Sequence, residues 1–195
     1  TMKKRRIGIY CFLVLMAVVF AAPMLFTLMS SLKTKVEIFS SPFALPEKFM
    51  WSNYAEAWKG ARMSRYFVNS VIQSGLTVIV LGILSSMAAF ALSRFRFRMS
   101  RFVMLYFLLG MMVPMHTVLV PISYMIGKMG LTDSIPALIL VYVAFGLPFS
   151  ILVISNFMKG VNRSLEEAAL IDGAGYFQIY FWVMLPMTKP AIATV

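Results

Sequence analysis

The chain has 195 residues, of which 61% are hydrophobic and only 13% are charged. Soluble domains average about 45–50% apolar and about 25% charged residues, so this composition excludes a water-soluble globular protein. Lys and Arg total 18 against 7 Asp and Glu, and they lie in short clusters between long uncharged runs. With one cysteine, Cys11, and one histidine, His116, we expect neither an internal disulfide nor a metal site. The composition predicts a polytopic membrane protein.

Four uncharged runs are each long enough to cross a membrane. About 20 apolar helical residues span a bilayer core, whereas the strands of a β-barrel would need an alternation that these runs lack. We therefore predict an all-α bundle with complete membrane-spanning helices at residues 7–32, 67–93, 102–127 and 134–158. A fifth helix is predicted to start at about residue 187 and to be incomplete at residue 195. The whole range 1–195 is expected to form one transmembrane domain.

The distribution of basic residues predicts the orientation of these helices. Lys and Arg are concentrated in residues 1–6 and 94–101, and they are more dilute in 33–66 and 128–133. Because cytoplasmic loops are enriched in Lys and Arg, we expect the N-terminus, the link 94–101 and the loop 159–186 in the cytoplasm. The loop 33–66 is then external. The net charge of +11 indicates contact with anionic headgroups rather than with nucleic acid.

The external loop contains one predicted short helix. Asn53 and Glu56 have the spacing of a capping box, and Tyr54 and Trp58, four residues apart, share a helical face. Aromatic side chains are enriched at the level of the headgroups. We therefore interpret this helix as an interfacial anchor of the loop in preference to a ligand-binding element.

Polar residues recur on one face of the second predicted membrane helix. Asn69, Gln73 and Thr77 are spaced by four residues and therefore lie on the same side. Polar groups inside a bilayer need partners, so this face turns either toward packed protein or toward a watery solute path. The spacing agrees with both interpretations.

Prolines predict interruptions in the third and fourth membrane helices. Pro114 and Pro121 flank His116 in the third run, and Gly146 and Pro148 form a second weak point in the fourth. Broken helices near the midplane often mark transport sites. For His116 itself, a buried and hydrogen-bonded side chain is expected rather than a proton relay. The candidate pathway-lining residues are Asn69, Gln73, Thr77, Pro114 and His116.

A short helix is predicted after the fourth membrane helix. Ser164 and Glu167 have the spacing of a capping box, and Gly173 is suited to a left-handed helix stop. The helix between them is too short to be stable alone, so it must dock on another surface. Ala168 and Ala169 permit close approach, and the helix is therefore expected to enter a cleft of a partner.

The sequence around this short helix resembles the EAA loop of permease subunits of ATP-binding-cassette (ABC) importers. The matching residues are Glu167-Ala168-Ala169, Gly173, Val183 and Leu185-Pro186, with Val183 where isoleucine is usual. Shorter segments along the chain are similar to the smaller, maltose-type permease of the carbohydrate branch of that family, among them residues 33–39, 42–46, 53–58, 93–95 and 130–133. The resemblance covers essentially the whole chain.

The resemblance implies a type I importer permease with six helices in the complete protein, located in the bacterial cytoplasmic membrane. It implies a second, usually non-identical permease subunit, two ATPase subunits that carry ATP and Mg, and an extracytoplasmic binding protein that delivers a sugar. It implies no catalytic residue and no cofactor in this chain. The ATPase-coupling residues that it implies are Glu167, Ala168, Ala169, Asp172, Gly173, Leu185 and Pro186.

Two other functions are compatible with the sequence. One is a permease of the same kind for a different polar solute, such as a polyanionic saccharide. The other is a membrane-embedded enzyme, which would need a nucleophile and a base. His116 is the only histidine, and no G-x-S-x-G motif occurs in the chain, so the enzyme is the less favoured interpretation.

Overall fold

The computed structural model describes residues 2–60, 62–95 and 97–195, and the side chains from residue 6 onward. Every regular element in these ranges is helical, which confirms the predicted all-α class. The chain divides into two compact units, Thr1–Phe67 and Val68–Val195. In the basic clusters, Arg96 and the side chains of residues 3–5 lie outside the described part. Within the described part, three helices are long and apolar enough to span a bilayer, namely Arg6–Ser31, Met63–Arg94 and Ile135–Gly160.

The first unit contains helices α1 (Met2–Ser31), α2 (Lys35–Ser40) and α3 (Ser52–Gly60). Lys33, between α1 and α2, is buried although it carries a charge. Its Nζ donates hydrogen bonds to the carbonyl oxygens of Ser41 at 2.9 Å and Pro42 at 3.0 Å. This lysine therefore fixes the chain that follows α2 against the end of α1.

The capping box predicted for Asn53 and Glu56 is wrong. Asn53 lies inside α3, and its side-chain amide donates to the carbonyl oxygens of Ser31 and Lys33, each at 2.9 Å. The last carbonyls of a helix lack intrahelical partners, and at the end of α1 Asn53 satisfies one of them. Its side chain therefore binds the end of α1 instead of the start of α3.

The helices that follow are α4 (Met63–Arg94), α5 (Ser100–Met111), a 3₁₀ turn (Met115–Val118), α6 (Leu119–Lys128) and α7 (Ile135–Gly160). The predicted interruption at Pro114 is confirmed, because α5 and the segment Met115–Lys128 meet at an angle of 88°. Pro121 lies in the first turn of α6, where its missing N–H has little effect.

The interruption predicted near Pro148 is wrong, since α7 runs through this residue without a break. Pro148 is buried, and a Cβ on Gly146 would lie only 2.9 Å from the side chain of Leu81 in α4. The glycine thus lets two helices approach closely at this level. Packing against neighbouring helices allows a membrane helix to continue through a proline that would interrupt it in isolation.

Helices α4 and α7 run parallel, which decides how often the chain crosses the membrane. Ser93 Oγ, near the end of α4, lies 3.8 Å from Met158 Sδ, near the end of α7. The contact of Leu81 with Gly146 occurs earlier in both helices, so both chains run in the same direction. Because α4 and α7 end on the same side, the bent pair of α5 and α6 must return the chain across the bilayer. Counted as one span, this pair brings the apolar spans of the described residues to four.

After α7 the chain forms α8 (Ser164–Ile171) and then a helical segment, residues 176–192. The fifth helix predicted to start at about residue 187 in fact starts at Tyr176, where Gln178 Oε1 accepts the N–H of Gly175 at 2.8 Å. A π turn at Ile179–Met184 precedes Pro186, which has no N–H to donate. Helical structure therefore extends further toward α8 than the apolar pattern predicts.

The core of the second unit lies where α4, α7 and the segment 176–192 meet. Ser86 Oγ and the hydroxyl of Tyr180 form a buried hydrogen bond of 2.7 Å at this place. The buried apolar members of this core are Ala89, Phe90, Ile154, Met158, Val161, Ile179, Tyr180, Met184 and Ala191. We call this set the basal core, and α8 lies against it.

Candidate functional site

Helix α8 packs on the basal core with one face and exposes the other. Ala169 contacts the basal core, as does Ala174 just beyond the helix. The opposite face carries Glu167 and Ala168, both exposed, and Ile171, whose side chain is 86% exposed. The exposed face therefore combines a carboxylate, a methyl group and a large apolar side chain. We call Glu167, Ala168 and Ile171 the outward face.

The C-terminal end of α8 is built on Gly173. This residue has a φ of +82°, its N–H donates to the carbonyl of Leu170 at 3.1 Å, and the N–H of Ala174 donates to that of Ala169 at 2.9 Å. The two bonds form a Schellman motif, in which a left-handed residue ends the helix. The predicted left-handed stop at Gly173 is confirmed.

The capping box predicted for Ser164 and Glu167 is wrong. Ser164 is the first helical residue, and its own N–H donates to Asn162 Oδ1 at 3.1 Å. The residue that precedes the helix, Arg163, makes no side-chain hydrogen bond to it. The start of α8 is thus held by a hydrogen bond from the N–H of Ser164 to Asn162, and Glu167 is exposed.

A salt bridge joins α8 to the last turn of α4. Arg94 Nε lies 2.5 Å from Glu166 Oε1, and the side chains are only 4% and 15% exposed. Arg94 Nη2 also donates to the carbonyl of Val161 at 3.0 Å and lies 3.7 Å from Met184 Sδ. Burial raises the pKa of the Glu166 carboxyl, and the attraction of Arg94 offsets part of that effect. Arg94 thus connects α4 to α8, to the end of α7 and to the segment 176–192.

Arg94, Glu166 and Ile171 are functional candidates that sequence patterns did not predict. Arg94 counted only as one basic residue of the orientation cluster, and Glu166, which directly precedes the motif, had no predicted role. A usable signal was present, because Glu166 and Ala169 are three residues apart and share a helical face. If Ala169 faces the protein, Glu166 faces it too and needs a buried partner.

The structure separates the predicted ATPase-coupling residues into two sets. The half-buried ones, which pack against the basal core, are Ala169 and Leu185. The exposed ones are Glu167, Ala168, Asp172, Gly173 and Pro186. Asp172 and Gly173 line a groove of about 410 Å³ together with Trp182, whose side chain is 81% exposed. The outward face and this groove are accessible to a second protein, and the coupling role stays a prediction.

The predicted pathway-lining residues lie in two places. Asn69, Gln73 and Thr77 are half-buried positions on the first half of α4, where most other side chains are exposed. Pro114 and His116 are exposed at the bend between α5 and α6. The expectation of a buried His116 is therefore wrong, because the break at Pro114 places this residue in a turn. A pathway role for the five residues stays a prediction.

Comparison with known proteins gives a family match over most of the second unit. Residues 78–195 match the family described as "binding-protein-dependent transport system inner membrane component". The match includes α8, its Schellman turn and the whole basal core. It ends at the same residue as the chain.

Two curated relatives are similar over most of the chain. NgcG of Streptomyces coelicolor, a diacetylchitobiose uptake system permease protein, is 41% identical over 95% of this chain and 62% of its own length. MelC of Bacillus subtilis, a melibiose/raffinose/stachyose import permease protein, is 31% identical over 89% of this chain and 63% of its own length. The chain thus spans under two thirds of the length of these relatives.

A solved structure has the same fold. In the crystal structure of a bacterial ABC transporter involved in the import of the acidic polysaccharide alginate, one chain superimposes with a TM-score of 0.87 and 24% sequence identity. The similarity covers 100% of this chain and 69% of that chain. At this level of identity the comparison establishes the helical architecture alone.

Proposed function

The chain belongs to the family of binding-protein-dependent transport system inner membrane components, and on this basis we propose that it is a permease subunit of an ABC importer for sugars or oligosaccharides. The cargo named for NgcG and MelC supports a saccharide. The observation that carries the proposal is the outward face of α8, which is exposed while Glu166 and Ala169 attach the helix to α4 and to the basal core. An importer permease needs such a surface for its ATPase.

In this proposal α8 docks in a groove of a separate ATPase subunit. Glu167 pairs with a basic residue of that groove, Ala168 permits close approach, and Ile171 fills an apolar depression. Two ATPase subunits bind ATP and Mg, a second permease subunit completes the pore, and an extracytoplasmic binding protein delivers the solute. The present chain transports and does not hydrolyse.

The proposal places the N-terminus, the link 94–101 and α8 in the cytoplasm, and the loop 33–66 outside, in a bacterial cytoplasmic membrane. The clusters of Lys and Arg support this orientation. The salt bridge between Arg94 and Glu166 supports the common location of the link and α8. The relatives favour an oligosaccharide over a polyanionic saccharide as cargo and favour a transport subunit over a membrane enzyme.

The test of the proposal is the substitution Glu167→Arg in the full-length permease with its partner subunits. Like charges facing each other in a desolvated interface cost several kcal/mol, so we expect ATPase co-purification and uptake of oligosaccharides such as diacetylchitobiose to fall at least about tenfold. Glu56→Arg, the same change at an exposed glutamate of α3, is the control and should have no effect. Full ATPase binding and uptake by the Glu167→Arg variant would refute the proposed docking.

A further inference from the structure

We propose that Arg94 and Glu166 are positioning residues that act as one unit and carry movement of α8 into α4 during transport. The inference rests on the proposed function, because it takes α8 to be the docking helix. Neither residue needs to touch the solute or the nucleotide. Their task is to keep a cytoplasmic helix and a membrane-spanning helix in one fixed relation.

The first support is that three other segments of the protein contact the side chain of Arg94. Arg94 contacts the carboxylate of Glu166 in α8, the carbonyl of Val161 at the end of α7 and the sulfur of Met184 in the segment 176–192. Its Nη2 makes a hydrogen bond to the carbonyl of Val161, whereas Nε and the Glu166 carboxylate are in charge contact without a hydrogen bond between them. A displacement of α8 therefore acts directly on the last turn of α4.

The second support is the direction of adjacent carboxylates. Glu167 faces outward and is exposed, whereas Glu166 is turned inward and paired. When a partner moves α8 through its contact with Glu167, the pairing of Glu166 with Arg94 transmits that movement to α4. The two glutamates face different sides because successive residues of an α-helix are rotated by about 100°.

The third support concerns the energetics of the pair. A buried ion pair is a poor source of net stability, because the desolvation of both charges opposes their attraction. In agreement with this, burial shifts the Glu166 carboxyl toward its neutral form despite the nearby Arg94. Removal of one partner, however, leaves an unpaired buried charge and is costly. The pair therefore specifies a position more than it stabilises the fold.

The fourth support is the continuity of α4 beyond the pair. This helix is unbroken from Met63 to Arg94. At a rise of 1.5 Å per residue, Gln73 lies about 30 Å along the helix from Arg94. A single rigid helix therefore connects the docking end of the protein to the polar face that contains Gln73.

The test uses the full-length permease with its partners in proteoliposomes. Three variants are compared, Glu166→Gln, Arg94→Met and the combination of both. Arg163→Met is the matched control, since it removes an exposed cation at the start of α8 and leaves the pair intact. Three quantities are measured for each variant: the amount of ATPase retained, the rate of ATP hydrolysis and the rate of solute uptake.

We expect both single variants to retain the ATPase within about twofold and to hydrolyse ATP, while the ATP consumed per solute imported rises at least about fivefold. The double variant should be no worse than the worse single one, because both changes break the same contact. The control should match the wild type. The proposal would be overturned if the ATP consumed per solute imported were unchanged in both single variants. It would also be overturned if the defect of the double variant equalled the product of the two single defects, or if the loss of uptake simply followed the loss of bound ATPase.

A distance measurement separates this inference from the proposed function. Spin labels at Leu84→Cys in α4 and Leu170→Cys in α8, both exposed positions, report the relation of the two helices in a Cys11→Ser background. We expect a narrow distance distribution in the parent and a broad one with Arg94→Met. If the wild type imports no saccharide, the proposed function is refuted. The distance distribution still tests whether Arg94 and Glu166 hold α8 in a fixed relation to α4. An equally narrow distribution in the variant refutes the link.

Discussion

Glu166 and Glu167 are adjacent in the chain, and yet their surroundings differ completely. The side chain of Glu166 is 15% exposed and pairs with Arg94, whereas that of Glu167 is exposed on the outward face. A substitution at one position therefore tests attachment to α4, and the same substitution at the next tests docking. The two effects are separable only because α8 has a fixed rotation on the basal core.

At Gly173 the backbone conformation alone determines which substitutions are tolerated. A Cβ there would meet no atom within 4 Å, so the obstacle is the φ of +82° and not space. We expect Gly173→Val to cost at least about 1–2 kcal/mol in the Schellman turn and to reduce ATPase co-purification, whereas Gly173→Asn is tolerated. Gly175→Ala is the control, because Gly175 has a φ of −77°. Equal ATPase retention by the valine and asparagine variants would contradict this role.

The loop 33–66 has a pH-sensitive contact at Glu37. Hydrogen bonds from the N–H and hydroxyl of Thr34, both at 2.8 Å, and from the N–H of Glu47 at 3.1 Å hold the pKa of Glu37 below its usual value. The folded loop thus favours the ionised form, so its contribution to stability is present at neutral pH and is lost as the pH falls through the lowered pKa.

We expect amide-exchange protection factors of residues 34–47, corrected for intrinsic pH dependence, to fall as the pH decreases through the lowered pKa of Glu37. In Glu37→Gln the protection should already be low at neutral pH and should change little with acidification. Lys35→Met, a change at an exposed neighbour, is the control and should keep the wild-type profile. A Glu37→Gln profile identical to the wild type would show that the carboxylate does not hold the loop.

At the scale of whole elements, α4 changes character along its length. Its second half is buried at Ser85, Ser86, Ala89, Phe90 and Ser93, whereas its first half is mostly exposed. Asn69, Gln73 and Thr77, which are half-buried, lie in this first half at a spacing of four residues. Helix α4 therefore packs against the protein at one end and presents this polar face at the other.

This face gives a prediction about transport. On the hypothesis that Gln73 lines the solute path, we expect Gln73→Leu to lower solute uptake at least about tenfold while ATPase binding and basal ATP hydrolysis stay near wild type. Ser74→Leu is the matched control, because Ser74 is the next residue along α4 and is exposed. If the glutamine variant loses assembly together with uptake, the face serves helix packing instead.

Rules for single residues and short patterns predicted some features of these helices correctly. The predictions that were wrong or absent share a physical cause. The stop at Gly173 and the break at Pro114 follow from backbone constraints of single residues, which the sequence displays directly. The continuity of α7 at Pro148 depends on burial among neighbouring helices, which local patterns do not contain. The pairing of Arg94 with Glu166 joins residues far apart in the chain. Helical periodicity indicates that Glu166 faces the protein together with Ala169, but it does not identify Arg94 as the partner.

For the molecule as a whole, the parallel packing of α4 and α7 determines the topology of the second unit. Their common direction requires one further crossing between them, although neither α5 nor α6 is long enough to span alone. The link after α4 and the start of α8 must then lie on the same side of the membrane. The clusters of Lys and Arg support our proposal that this side is the cytoplasm.

Cysteine labelling tests both statements in a Cys11→Ser background with a membrane-impermeant maleimide. Leu45→Cys, in the external loop, should react in intact cells, because this side chain is 78% exposed. Arg98→Cys and Arg163→Cys, also exposed, should react only after permeabilisation. Labelling of the two arginine positions from opposite sides would refute the four-span topology, since the bent pair would then enter and leave on one side. Labelling of both from outside would preserve the spans and reverse the orientation.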